Sequence, residues 1–151
     1  DRVDHGNIIY KAIREGLIDP KQSVQIGTRV EVEGEIDSGL TRIDARAIHE
    51  TGAEATAERA LAVTGDAPVY LSFDIDALDP AFAPGTGTPV WGGLSTAQVS
   101  VLLRSMAGVN LVGADVVEVS PPFDHAGITA LAGAAIAYDL IALWGWGRQN
   151  Q

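Results

Sequence analysis

Apolar and polar residues alternate along this chain in two periods. Over residues 8–17 the apolar positions fall at helical spacing, with Gly16 and the Asp19-Pro20 pair as a stop, which predicts a short amphipathic helix. Residues 24–30 read as a strand, and the polar stretch 31–42, carrying Gly34 and Gly39, as a surface loop. Residues 43–48 fit a strand or a helix equally by period. Residues 53–63 return to helical spacing, with Ala57, Ala60 and Leu61 on one side. The run 69–73, Val-Tyr-Leu-Ser-Phe, is β-branched, aromatic and apolar, and predicts a strand buried on both faces. A helix near 95–106, a strand near 110–119 and a final helix near 128–144 complete the series. Ser95-Thr96-Ala97-Gln98 has the form of a capping box, which gives Ser95 a structural task.

Strands alternating with helices imply a mostly parallel sheet with right-handed crossovers and helices on both faces, a three-layer α/β/α arrangement. No linker, repeat or low-complexity segment divides residues 1–151, so the chain reads as one domain or part of one.

The chemistry concentrates where the 69–73 strand ends. Ser-Phe-Asp-Ile-Asp-Ala-Leu-Asp-Pro, residues 72–80, places Asp74 and Asp76 one residue apart, and period-2 geometry puts both on one face. Two carboxylates so close repel each other, and a divalent cation is the usual reason for the arrangement; oxygen donors favour Mg²⁺, Ca²⁺ or Mn²⁺. An EF-hand is excluded, because the third Asp falls at position 6 and Pro80 comes directly after it. Aspartyl-phosphate enzymes, sugar-nucleotide transferases and a purely structural pair that caps a turn remain open at this point. Residues 80–93 then carry three Pro and four Gly, an ordered non-helical loop at the carboxyl end of the strand, where open α/β sheets bind ligands.

Composition narrows the classes. The formal charge of −10 argues against a nucleic-acid partner, which needs clustered Lys and Arg. No run approaches the roughly eighteen apolar residues of a transmembrane span; residues 128–143 come closest and contain Tyr138 and Asp139. The absence of cysteine excludes disulfides and thiolate ligands and fits a cytoplasmic location.

The string Ser-Phe-Asp-Ile-Asp-Ala-Leu-Asp-Pro-Ala-Phe-Ala-Pro-Gly-Thr-Gly-Thr-Pro, with Gly-Gly-Leu-Ser shortly after it, resembles the C-terminal signature of the ureohydrolase (arginase/agmatinase) family, most closely its agmatinase-like branch. Asp4-His5-Gly6-Asn7 resembles the family's His-Gly segment, and Val24 to Arg29 its next strand. Val116-Val117-Glu118-Val119-Ser120-Pro121 resembles the strand whose Glu meets the substrate guanidinium. Pro122-Phe123-Asp124-His125 and Thr129-Ala130-Leu131-Ala132 resemble the next loop and the final helix of agmatinases. The family's Gly-Gly-Asp-His and Asp-Ala-His-x-Asp segments are not in this sequence. The resemblance therefore predicts the C-terminal part of a single arginase-like domain, and with Asp1 first and Met106 the only Met, the chain reads as a fragment.

The resemblance implies hydrolysis of an agmatine-like guanidino compound to urea and an amine by two Mn²⁺ ions that activate water. Asp74 would bridge both ions, Asp76 would bind one, Glu118 would hold the guanidinium, and His5 would carry a proton to the leaving amine. Guanidinobutyrase or proclavaminate amidinohydrolase activity is the near alternative. A catalytically inert fragment or pseudo-enzyme is the more distant one. A phosphoryl enzyme with Asp74 as nucleophile is disfavoured by Leu78 two residues beyond Asp76 and by the lack of a phosphate loop. The family also implies a homo-oligomer, a trimer or hexamer, with no nucleic-acid or membrane partner. His5 in a Gly-containing loop and Glu118 at a strand end would each read as ordinary without that context. Asp79 before Pro80 reads as a turn-former, His49 as a surface or packing residue, His125 as a candidate pocket residue, and the Trp144-Gly-Trp146 tail as helix-end packing or a subunit contact.

Overall fold

The computed structural model describes residue 3 and residues 6–30 and 38–149. His5 and residues 31–37 of the expected loop lie outside the described residues.

The element order is α1 (Ile8–Arg14), β1 (Val24–Ile26), β2 (Thr41–Ile43), α2 (Ala45–Thr51), α3 (Ala53–Thr64), β3 (Val69–Asp74), α4 (Thr96–Ser105), β4 (Leu111–Val117) and α5 (Ile128–Gln149). The strand expected over 24–30 stops at Ile26, because Gly27 takes a φ of 85° and turns the chain aside. The ambiguous 43–48 segment divides at Asp44. Its side chain accepts a hydrogen bond from Ala47 N at 2.7 Å, which ends β2 and starts α2. The capping box of α4 is present in both directions, Gln98 N to Ser95 Oγ at 3.1 Å and Ser95 N to Gln98 Oε1 at 2.9 Å.

Strands pair in parallel as two separate two-stranded sheets, β1 with β2 and β3 with β4; in the second, Phe73 registers with Val116 and Asp74 with Val117. Helices with parallel strands give the expected α/β class. The expectation that β3 is buried on both faces is corrected. Phe73 is buried and Leu71 half-buried on one face, whereas Tyr70 on the other is 62% exposed and Ser72 is exposed beside it. An apolar run reports the layers a strand is built for, and here only one of them is covered among the described residues.

The covered side holds one hydrophobic core. Ile43 and Ile48 join Phe73, Ile75, Leu78 and Leu94, and the cluster extends through Leu103 to Ile136 and Leu140 of α5. Helix α5 also corrects a sequence expectation. It runs beyond residue 144, and Ile128–Arg148, 21 residues of mean hydropathy 1.6, is long and apolar enough to cross a bilayer by length and composition alone. Ala132, Ile136, Leu140 and Leu143 along it are buried within the domain, as in a core helix.

Candidate metal and guanidinium site

Strand β3 ends at Asp74, and residues Ile75–Ala77 form a 3₁₀ turn instead of continuing the pleat. The two carboxylates therefore do not meet by period-2 alternation, as the sequence suggested. The Asp74 Oδ1 atom accepts a hydrogen bond from Asp76 N at 3.0 Å, and this local bond offers the backbone an alternative to the ladder. Ile75, fully buried between the two, anchors the turn in the core and leaves both acidic side chains at the sheet's carboxyl end.

Burial pushes the Asp74 carboxyl up to about 6, helped by the negative charges of Asp76 and Glu118 and opposed by the Asp76 amide. Among the described residues no Lys or Arg forms an ion pair with Asp74 or Asp76. Asp76 instead accepts a hydrogen bond at its Oδ2 from Thr88 Oγ1 at 2.7 Å. Hard oxygen donors, half-buried and without a counter-charge, fit a divalent cation. They are a partial set, since among the described residues no group of three or more His, Cys, Asp or Glu side chains is placed to hold one.

Glu118 comes directly after Val117, the residue in register with Asp74, so the adjacent strands deliver both carboxylates to the same end of the sheet. Its backbone adopts a φ of 65°, a left-handed conformation that costs a non-glycine residue on the order of 1–2 kcal/mol. Strain of that kind persists where surrounding structure over-determines it. Here Ser120 N donates to Gly85 O at 2.7 Å, and Gly85 N donates to the buried hydroxyl of Thr129 at 2.8 Å. A Cβ on Gly85 would lie 2.6 Å from Asp124 Cβ, so only glycine lets the loop after β3 dock on the loop after β4.

Asp79 is the turn-former that the sequence suggested. Its Oδ1 accepts from Ala81 N at 2.9 Å, and its Oδ2 from Gly92 N at 2.7 Å and Gly93 N at 3.1 Å. The Ala81 amide, with those of Gly92 and Gly93 and the nearby Arg29 charge, holds the Asp79 carboxyl below the usual carboxylate range. One side chain thus closes the root of the Gly/Pro loop. Asp124 does the same for α5, accepting from Thr129 N and Ala130 N at 2.9 Å each. Partial desolvation pushes its carboxyl up, yet those amides, Ala130 first, prevail and hold it below the ordinary range.

His49 packs where the sequence placed it, on the surface, with Nε2 3.3 Å from Gly92 O and Nδ1 3.2 Å from Gln98 Nε2. The donor and acceptor roles at the two ring nitrogens depend on the tautomer. His125 is exposed beside the α5 cap. In the tail, the Arg148 guanidinium stacks 4.2 Å from the Trp144 ring centroid, a helix-end contact.

Two participants were not singled out from the sequence. Thr88 lay in an undifferentiated loop. Arg29 was read as the end of a strand, whereas its guanidinium reaches the carbonyls of Asp76 and Val90. The nearest signal was its position just past Gly27, where a strand-like run meets a glycine.

The arginase-family profile matches residues 1–142. The chain is similar to the agmatinase of Chromobacterium violaceum, 50% identical over 143 residues that cover 95% of this chain and 44% of that protein. Among solved structures it is similar to a hypothetical agmatinase from Burkholderia thailandensis, with a TM-score of 0.94 and 52% identity over 99% of this chain and 47% of the other. It is also similar to the proclavaminate amidino hydrolase of Streptomyces clavuligerus, with a TM-score of 0.89 and 42% identity over 95% of this chain and 48% of the other. The chain thus spans somewhat less than half the length of these relatives.

Proposed function

We propose, for a chain that belongs to the arginase family, that it forms the C-terminal part of a manganese-dependent hydrolase that splits an agmatine-like guanidino compound into urea and an amine. The observation that carries this reading is the pair Asp74 and Asp76, without an ion-paired Lys or Arg among the described residues, beside Glu118 at one end of the parallel β3–β4 pair. Asp74 and Asp76 would hold Mn²⁺, with the remaining ligands supplied by residues outside the described ones. When bound, the metal supplies positive charge that lowers the pKa of water toward neutrality.

The chain's own groups provide the rest. Glu118 presents a carboxylate to the planar guanidinium, which it can meet with charge-assisted hydrogen bonds. The loop pinned by Asp79 and Gly85 walls that end of the sheet. His5 is proposed to carry a proton to the leaving amine, for which imidazole has the right intrinsic pKa. Agmatine heads the substrates because agmatinases feature among the similar proteins; guanidinobutyrate and proclavaminate-type substrates stand behind it. Assembly as a trimer or hexamer belongs to the same proposal, as does a cytoplasmic location; exposed Leu131, Tyr138 and Ile141 on α5 are apolar surface available for contacts.

The deciding experiment measures urea from agmatine, guanidinobutyrate and arginine with the metal-replete full-length protein. Urea from agmatine in preference to the others is expected; no urea from any of them would sink the enzymatic reading. Glu118→Gln in that protein should weaken both binding and turnover, by on the order of 1.5–3 kcal/mol for a lost hydrogen bond between charged groups. A second reading, that the 151-residue chain alone is inert, is favoured by the incomplete donor set among the described residues. It predicts that the isolated chain retains little or no Mn²⁺ on metal analysis, and two tightly held ions would overturn it.

A further inference from the structure

We propose that Arg29 is a positioning residue for Asp76: its guanidinium ties together the two segments that carry Asp76 and Thr88, and so fixes the direction in which the Asp76 carboxylate points. The inference rests on the reading of Asp76 as a metal ligand.

Arg29 reaches this place because β1 ends in a tight turn. Gly27 is buried, and a Cβ there would sit 3.7 Å from Ala77 Cβ and 3.7 Å from Leu94 Cδ1, so the turn lies directly against the 3₁₀ turn that holds Asp76. From there Arg29 Nη2 donates to Asp76 O at 2.6 Å and Val90 O at 2.6 Å, with Leu78 O farther off at 3.4 Å. The Nε atom donates to Val90 O at 2.9 Å. Asp76 lies in the 3₁₀ turn before the Gly/Pro loop, and Val90 lies near the loop's far end. Between them runs the bond from Thr88 Oγ1 to Asp76 Oδ2, so the clamp grips the main chain on both sides of a side-chain bond that orients the Asp76 carboxylate.

The chemistry of the clamp is specific to arginine. The guanidinium is half-buried, and all the acceptors named are main-chain carbonyls, in a chain whose net charge is −10. A cation placed for solubility would lie in water, and one placed for ion pairing would face a carboxylate. A lysine ammonium is a point charge on a flexible stem, whereas the rigid fork of arginine serves two carbonyls from fixed directions at once. Asp79 closes the root of the same loop through Gly92 and Gly93, with the Arg29 charge nearby but with hydrogen bonds of its own, so Asp79 shapes the loop and Arg29 joins it to the segment that carries Asp76.

The test is a Mn²⁺ titration of the full-length protein, monitored by calorimetry and by the EPR signal of free Mn²⁺, for the wild type, Arg29→Met, Arg29→Lys and Thr88→Val. Groups that orient metal ligands typically contribute 10- to 100-fold in affinity. The expected result is a loss of about that size for one of two ions in Arg29→Met, with the other constant unchanged. Thr88→Val should weaken the same ion, and the double variant Arg29→Met/Thr88→Val should lose less than the two losses multiplied together. Thermal unfolding of the metal-free proteins separates this from a purely structural role. A lowered melting temperature with both Mn²⁺ constants intact would overturn the proposal, as would equal weakening of both ions. Should Arg29→Met fail to fold, Arg29→Lys, which keeps the charge but not the fork, and Thr88→Val carry the same comparison. A wild-type protein that binds no Mn²⁺ would instead remove the metal reading on which the inference stands.

Discussion

Asp74 and Asp79 lie five positions apart in one motif and end in opposite circumstances. Asp79, at the root of the Gly/Pro loop, receives three backbone N–H groups and is held below the usual carboxylate range. Asp74, at the strand end, receives one, from Asp76, and burial drives it up to about 6. The fold satisfies the first carboxylate and leaves the second with unspent negative charge. A carboxylate built into loop geometry stabilises the fold by itself, whereas one kept half-buried beside Asp76 and Glu118 destabilises it until a cation arrives.

The sharpest way to break this comparison is to neutralise each member. If Asp74 holds the metal as proposed, Asp74→Asn in the full-length protein should lower urea release by on the order of 10³-fold, because a metal ion supplies several kcal/mol of charge stabilisation in the transition state. Metal-free stability should be unchanged or raised. Activity near wild type by urea assay would show that Asp74 is not a ligand. At the other pole, the losses should be of stability. A Cβ on Gly93 would sit 2.5 Å from Asp79 N and 2.6 Å from Leu78 C, so Gly93→Ala must displace the main chain and should cost about 1–3 kcal/mol in urea denaturation. Asp79→Ala should cost about 1–2 kcal/mol, a modest sum because the carboxylate is solvated. Should either variant match wild-type stability, the loop root is not fixed as described.

The smallest effect is in pH. Asp74 has a folded pKa above its unfolded value near 4, so the native state binds more protons between pH 4 and 6. Stability of the metal-free chain should therefore fall as pH rises through that window, by about 1 kcal/mol once solvent exposure of the group is discounted. Asp79 and Asp124, with depressed values, contribute stability that is lost only as pH falls below about 4, so the two windows do not overlap. Denaturation midpoints at pH 4.5 and 6.5 test this. Asp74→Asn should abolish the slope, and a slope that survives the substitution assigns it to another group.

The sequence by itself determined the α/β class, the α4 capping box and most of the element order, with the β2–α2 segment left open between strand and helix, and it nominated the four candidate residues His5, Asp74, Asp76 and Glu118. These come from local spacing, or from a motif long enough to identify the family. His5 lies outside the described residues, so the proton role rests on that motif alone. Tertiary structure decided how Asp74 and Asp76 meet, because a hydrogen bond from Asp76 N competes with the pleat and wins at the strand end, which periodicity cannot report. It also decided that β3 has one open face, that α5 buries a face inside the domain although its composition would suit a bilayer, and that Arg29 reaches Asp76 O and Val90 O across 47 and 61 positions of sequence. A guanidinium reads the same in any sequence. Which carbonyls it meets depends on where the backbone brings them, and that is fixed only when the core has closed.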